Sequence, residues 1–286
     1  MNKTIVSMVA EKIQNIINSE RKLPWIKPWN DTTLSLAVSY NTQKPYSLLN
    51  QLLIAENGEF ITFKQIQTAK GRLKAGSKSR QIVFWNFLEK KTEGKDGKEK
   101  IEKIPFLRYY NVFRLSDTEG IESKAEKNLN HTIKTKEEIE TIINSYCEKY
   151  GIQIDRCYSN QCFYRPVADS VTIPDVKQFN NINEYYSAVF HELIHSTGHE
   201  NRLKRDIKNT YGNEKYSQEE LVAEIGSATI MNKLGLETPE SLLNSASYIQ
   251  SWQKFINEKT EAFISACGKA EKAVNMILGL VNNVNE

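Results

Sequence analysis

Three of the chain's four histidines fall within nine residues, His191-Glu192-Leu193-Ile194-His195-Ser196-Thr197-Gly198-His199. No other feature of the sequence constrains the local fold as tightly. In an α-helix, residues i and i+4 share a face, so His191 and His195 turn both imidazoles toward one point. Ala188, Val189, Phe190, Leu193 and Ile194 give such a helix buried faces, and Gly198 lets it end or turn after the second histidine. The pattern predicts one long helix from Asn183 to His199.

Two imidazoles on one face are a pair of metal ligands, and Glu192 is placed to reach a water beside that metal. This is the HExxH arrangement of zinc peptidases, two ligands and a general base. A catalytic zinc takes a third protein ligand and keeps one position open. The spacing that ends in a third histidine in metzincins is two residues longer than His191 to His199. A later helix beginning at Glu219-Glu220-Leu221-Val222-Ala223-Glu224 offers carboxylates instead. Glu220 is the expected third ligand, with Ala223 small enough to pack on the HExxH helix; Glu219 and His199 are the alternatives. Glu224, one turn on, is expected to orient an imidazole from behind. The bland reading of Glu219 and Glu220 is an acidic first turn capped by Ser217. Zn2+ suits two histidines and a carboxylate best, and manganese, cobalt or nickel fit the same donors. The chemistry would be water activation, with Glu192 passing the proton to a leaving amine and Tyr216 a candidate donor to the oxyanion. Ser170–Ile173 is expected to be an edge strand on which an extended substrate peptide pairs.

The rest of the chain reads as a second, different domain. Its 286 residues, 40% hydrophobic and 26% charged, suit a soluble globular protein of two domains. There is no run of 18 apolar residues, so no membrane span or membrane partner is expected, and the polar-interrupted N-terminus predicts a cytoplasmic protein. Four cysteines are too few for a disulfide scaffold, and Cys157 and Cys162 read as reduced thiols near a strand. Residues 1–130 hold 22 Lys and Arg against 14 Asp and Glu, net +8; the remaining 16 and 21 give −5. The periodicity predicts helices at 3–19, 136–150, 217–234, 239–258 and 260–281, and strands at Gln81–Leu88 and Phe106–Leu115. Residues 89–103 read as a charged hairpin tip or loop, and 116–135 as the interdomain linker. The expected fold class is α+β, with a mixed α/β domain at 1–125 and a mainly helical domain with a small sheet at 126–286.

Between Phe60 and Leu88 lie Lys64, Lys70, Arg72, Lys74, Lys78 and Arg80 and no acid, flanked by Phe60, Phe63, Phe84, Trp85 and Phe87. Single-stranded nucleic acid is held by basic grooves with aromatic faces for the bases. The same residues also describe core aromatics beside solvated lysines. Trp25, Trp29, Tyr40 and Tyr46 are platforms or core on the same two readings.

His191-Glu-Leu-Ile-His195-Ser-Thr-Gly-His199-Glu-Asn-Arg-Leu-Lys-Arg205, with Tyr216-Ser-Gln-Glu-Glu-Leu-Val-Ala-Glu224-Ile-Gly, resembles the ArdC-type antirestriction proteins of conjugative plasmids and integrated elements. In the front half, Pro24-Trp25-Ile-Lys-Pro-Trp29, Tyr46-Ser-Leu-Leu-Asn50, Ile61-Thr-Phe63-Lys-Gln65, Lys70-Gly71 and Lys74-Ala-Gly76-Ser resemble them too. The resemblance implies an N-terminal single-stranded-DNA-binding domain, similar to a region of plasmid primases, and a C-terminal zincin-like metallopeptidase domain. It implies protection of incoming DNA from host restriction during transfer, with His191 and His195 as metal ligands, Glu192 catalytic, and the third ligand within Glu219–Glu224. Segments 89–103 and 116–135 depart from the family's pattern.

Overall fold

In α1 (Lys3–Glu20), Ile5, Val9, Ile13 and Ile17 recur every four residues and form its buried face, the amphipathic pattern read from the sequence. The structure is a computed structural model, and it describes residues 3–20, 23–26, 36–93, 99–124, 134–207, 214–236 and 246–280. The chain is α+β and forms two units, Met1–Ser19 with Asp31–Leu129, and Glu20–Asn30 with Asn130–Glu286. The division expected at residue 125 lies four residues later here, and segment 20–30 groups with the second unit.

In the first unit, β1 (Ala37–Ser39), β2 (Gly58–Thr62), β4 (Arg80–Glu93) and β5 (Glu99–Arg114) form a sheet in the order β1-β2-β5-β4. Strands β1 and β2 are parallel and the other pairings antiparallel. Phe60 and Val112 face one side with Ala37 and Ile54; Ile61 faces the other with Ile66 and Leu115. Helix α2 (Leu48–Ile54) meets both outer strands through adjacent side chains. Asn50 bonds the N–H and C=O of Val83 in β4 at 2.7 and 2.9 Å, and Gln51 does the same for Ala37 in β1 at 2.9 and 2.8 Å. A short α3 (Phe63–Thr68) starts at a Thr62–Gln65 capping box.

Of segment 89–103, expected as a hairpin tip or loop, residues 89–93 and 99–103 are paired strand, and 94–98 lie outside the described residues. Pairing runs unbroken from Arg80↔Val112 to Glu93↔Glu99, and the register sets Glu89 opposite Lys103 and Lys90 opposite Glu102. Alternating sign in the sequence is compatible with that cross-strand order. The expected linker is also shorter than 116–135. Strand β6 (Thr118–Glu119) pairs with β3 (Arg72–Leu73), Ile121 packs on the Ile61 cluster, and the carboxylate of Glu59 accepts bonds from Ser123 and the Lys124 N–H. Residues 125–133 lie outside the described ones.

In the second unit, α4 (Lys136–Tyr150) opens at a Thr135–Glu138 capping box and closes at Gly151, whose φ of 69° is left-handed. Strands β7 (Gln153–Cys157), β8 (Phe163–Arg165) and β9 (Ser170–Pro174) follow in the order β7-β9-β8. Strand β9 is therefore central, buried along its length, with its backbone paired on both sides. This overturns the expectation that Ser170–Ile173 is a substrate-pairing edge; among the described residues β8 pairs only with β9 and is an edge. Helices α5 (Ile182–Ser196), α6 (Glu214–Lys233), α7 (Ala246–Glu258) and α8 (Thr260–Ile277) complete the unit. Val189, Phe190, Leu193 and Ile194 of α5 are wholly buried, as are Leu221, Ala223 and Ile225 of α6 and Phe263, Cys267 and Ala270 of α8. Helix α6 packs on both α5 and α8. Gly226 makes the α5–α6 approach close: a Cβ there would stand 2.7 Å from Ile194 Cδ1.

Candidate metal centre

The imidazoles of His191 and His195 project from one face of α5, ring centroids 4.8 Å apart and Nε2 atoms 3.1 Å apart. Glu220, in the second turn of α6, sets Oε2 3.5 Å from His191 Nε2 and Oε1 3.3 Å from His195 Nε2. One ligand atom from each of the three residues lies within 4.8 Å of the other two. Two imidazole nitrogens and a carboxylate oxygen converging on one point are a donor set that fits a divalent ion of the zinc type. The electrostatics agree. Burial alone would lower the His195 pKa, but bonds to Glu219 and Glu220 and the charges of Glu192 and Glu220 hold it up to about 10. Burial pushes the Glu220 carboxyl up, and its bonds to both imidazoles outweigh that and hold it well below the usual range.

The neighbouring acid has a different partner. Glu219, 8% exposed, reaches the other nitrogen of His195, Oε1 to Nδ1 at 3.3 Å. It is itself gripped by Arg205, Nη2 to Oε1 at 2.8 Å and Nε to Oε2 at 3.0 Å. Glu219, not Glu224, is thus the carboxylate at His195 Nδ1; among the described residues no hydrogen bond joins Glu224 to either imidazole. Adjacent helical residues point about 100° apart, so 219 and 220 address the two sides of His195, while 224 lies one turn further along. Helix α5 ends at Ser196, three residues sooner than the sequence predicts, because Thr197–Arg205 turns back on the helix end. His199 leaves the helical face and accepts from the Asn201 N–H at 3.2 Å, outside the cluster.

Glu192 is 8% exposed on α5. Cys162, just before β8, approaches the same helix, its Sγ 3.9 Å from the Ala188 carbonyl, and burial followed by the Glu192 charge raises its thiol pKa strongly. All four cysteines are free thiols. Tyr216 lies inside α6, one turn before Glu220, and its side chain is outside the described part. Arg202, its side chain 1% exposed, ties the segment after α5 to the sheet through Asp169 and Tyr164 and donates to the Ser196 carbonyl at 2.7 Å. Neither Arg202 nor Arg205 was singled out from sequence. The cluster Arg202-Leu-Lys-Arg205 after a buried helix was the only signal, and it does not say which cations turn inward.

The basic and aromatic residues of the front half separate into groups. Lys64, Lys70, Arg72, Lys74 and Lys78 are exposed. Arg72 lies 3.4 Å from Glu119, and Lys74 donates to the Ser116 carbonyl at 2.7 Å. Arg80 is half-buried and held by Glu56, Nε to Oε1 at 2.8 Å. Among aromatics, Phe63, Tyr109 and Tyr110 are 51%, 49% and 43% exposed. Trp25 is not a platform: it is 2% exposed, grouped with the second unit, its ring 6.2 Å from Phe263 and 6.4 Å from Trp252. Tyr46 packs on the Ala37 cluster and Tyr40 on the Ile61 cluster. Trp29 lies outside the described residues, as do the side chains of Trp85 and Phe87.

An HExxH helix packed against a helix bearing a glutamate, beside a small mixed sheet, is a zincin-like arrangement, and residues 138–269 match the family described as zincin-like metallopeptidase. Residues 3–113 match the N-terminal domain of anti-restriction factor ArdC, and the chain, carrying both, belongs to the ArdC-type proteins. It is 30% identical over 298 residues to a DNA primase TraC of Escherichia coli, with 97% of this chain and 27% of that protein covered. A second TraC primase of the same organism is 28% identical, with 96% and 20% covered. The chain thus spans about a quarter of the length of these curated relatives. Protein y4eC of Sinorhizobium fredii is 27% identical, with 89% and 84% covered. The fold is that of the antirestriction ArdC protein from plasmid R388. The TM-score is 0.72 at 24% identity for its metal-free crystal structure and 0.74 at 23% for its Mn(II)-bound one, with 98% of this chain and 99% of that chain covered.

Proposed function

We propose that this chain is an antirestriction protein of a mobile element that binds single-stranded DNA through its first unit and carries a zinc peptidase site in its second. The convergence of His191, His195 and Glu220 beside a buried Glu192 carries the reading. These three residues would hold Zn2+, or Mn(II) as in the R388 relative. A bound ion supplies Lewis acidity, bringing the pKa of water toward about 7 and polarising a carbonyl. Glu192 takes the proton of the attacking water and delivers it to the leaving amine. Tyr216 is the proposed hydroxyl donor to the oxyanion, and an extended peptide would pair on β8. On the DNA side, Lys64, Lys70, Arg72, Lys74 and Lys78 would track phosphates while Phe63, Tyr109 and Tyr110 stack on bases. The match to the ArdC N-terminal domain and the likeness to proteins named DNA primases support a nucleic-acid role for this unit. The setting would be the cytoplasm of a recipient cell; among the described residues no helix is long and apolar enough to cross a membrane.

The test pairs zinc analysis with single-stranded-DNA binding over a salt series, on wild type, Glu192→Gln and the double variant His191→Ala/His195→Ala. The reading expects one zinc per chain, lost only in the double variant, and DNA binding that weakens with salt in all three. Salt-independent binding refutes the DNA assignment. If Glu192→Gln retains full protection against restriction in a conjugation assay, peptide hydrolysis is not part of that protection and the metal is structural or regulatory.

A further inference from the structure

We propose that Arg205 and Glu219 form a positioning pair that presents His195 to the metal, an inference that rests on the metal site proposed above. An imidazole that ligates through Nε2 carries its proton on Nδ1, and a fixed acceptor at Nδ1 sets both tautomer and ring orientation. Glu219 is that acceptor. A buried carboxylate needs a compensating partner, and Arg205, its side chain 5% exposed, supplies one in a bidentate fork.

The guanidinium does more than neutralise. Its Nη1 donates to Thr197 Oγ1 and its Nη2 to the Ile194 carbonyl, both at 2.7 Å. The Ile194 carbonyl lies in the last turn of α5, where it also accepts from the Thr197 N–H at 3.1 Å and the Thr197 hydroxyl at 2.6 Å, so the guanidinium joins an already formed cap. One cation therefore links the end of the helix bearing both histidines to the helix bearing Glu219 and Glu220. The chain is shaped for it: the Arg205 N–H bonds the Gly198 carbonyl at 2.9 Å, and a Cβ on Gly198 would stand 2.6 Å from Ile207 Cγ2 and 3.2 Å from Arg205 Nη2. Glycine at 198 leaves space for the guanidinium to lie against the helix end. Arg205 and Glu219 touch no substrate in this scheme; they act through His195.

The test is zinc affinity, by competition with a chromogenic chelator, for wild type, Glu219→Gln, Arg205→Met and Arg205→Lys, with the melting temperature of each in excess chelator. Positioning predicts Kd for zinc about 10–100-fold weaker in Glu219→Gln and Arg205→Met, and an intermediate value for Arg205→Lys, which keeps charge but not the fork. A merely structural bridge between helices lowers the melting temperature and leaves zinc affinity in the folded protein within threefold of wild type, which overturns the proposal. Should a variant fail to fold, ¹⁵N spectra of the wild-type zinc complex decide: a slowly exchanging proton on Nδ1 of His195 supports the pair, and metal on Nδ1 refutes it. Wild type that takes up no zinc sinks the metal site itself, a different result from variants that bind as well as wild type.

Discussion

Gly226→Ala separates the stability of the helical unit from the geometry of its metal site. The new Cβ would lie 2.7 Å from Cδ1, 2.9 Å from Cγ1 and 3.2 Å from Cγ2 of Ile194. Ordinary contact starts near 3.4 Å, so about 0.7 Å must be found. Ile194 is wholly buried and β-branched, so it has little room to give. Overpacking of this kind costs about 1–3 kcal/mol, offset by about 1 kcal/mol from replacing a helical glycine with alanine. The net loss of stability is then about 0–2 kcal/mol. The effect on metal is separate. Glu220 sits under two turns from Gly226 on the same helix, 3.3–3.5 Å from the imidazole nitrogens of α5. If α6 yields by several tenths of an ångström, the carboxylate moves with it, whereas metal–ligand distances tolerate about 0.2 Å. Zinc affinity should fall about tenfold or more, with a small drop in the melting temperature measured in chelator. A Gly226→Ala protein that binds zinc within twofold of wild type would refute the claim that this helix crossing sets the site.

Three further outcomes follow from the same structure. With its pKa held up to about 10, His195 carries a proton at neutral pH before metal binds. Zinc must displace it, so uptake should release about one proton at pH 8 and apparent affinity should rise with pH up to about 10; calorimetry in buffers of differing ionisation enthalpy checks this, and zero release contradicts it. In chelator the sign reverses: the raised pKa stabilises the fold fully below the unfolded value near 6.5, and that contribution fades as pH rises through about 10. Trp25→Ala should cost about 3–5 kcal/mol through loss of packing on Phe263 and Trp252, with no change in single-stranded-DNA affinity of the protein that folds. Weaker DNA binding at unchanged stability would return Trp25 to the DNA surface.

What the sequence made legible was local. A four-residue spacing puts His191 and His195 on one face whatever surrounds them, and Glu220 followed from the need for one more ligand on a helix with an acidic start. That Glu219 rather than Glu224 meets His195 Nδ1 was not legible, because it depends on how α6 packs on α5, where Gly226 stands close to Ile194. Arg205 is a surface residue by composition and a buried one by contact. Strand β9 was read as an edge because strand order is a property of long-range pairing, invisible in Ser170–Pro174 alone. Trp25 carries the same letters as a stacking platform and as a core residue, and only the distant Phe263 and Trp252 decide. Charge over 89–103 is compatible with a hairpin tip or a loop, and only the pairing of Glu89 with Lys103 and Lys90 with Glu102 extends the strands into it.

The two amides of α2 fix more than two backbone groups. Asn50 and Gln51 are consecutive, so they leave the helix axis about 100° apart, yet they reach the opposite margins of one sheet. In a flat sheet of four strands those margins would be roughly 14 Å apart. One short helix bridges that span with two side chains. The Asn50 amide stands where the peptide group of a further strand beside Val83 would stand, so a strand added there must displace it. Along β1 the segment around Pro45 already pairs, and its Tyr46 N–H shares the Ala37 carbonyl with the Gln51 amide. The two margins of the sheet are thus closed by different means, both anchored on neighbouring residues of one helix.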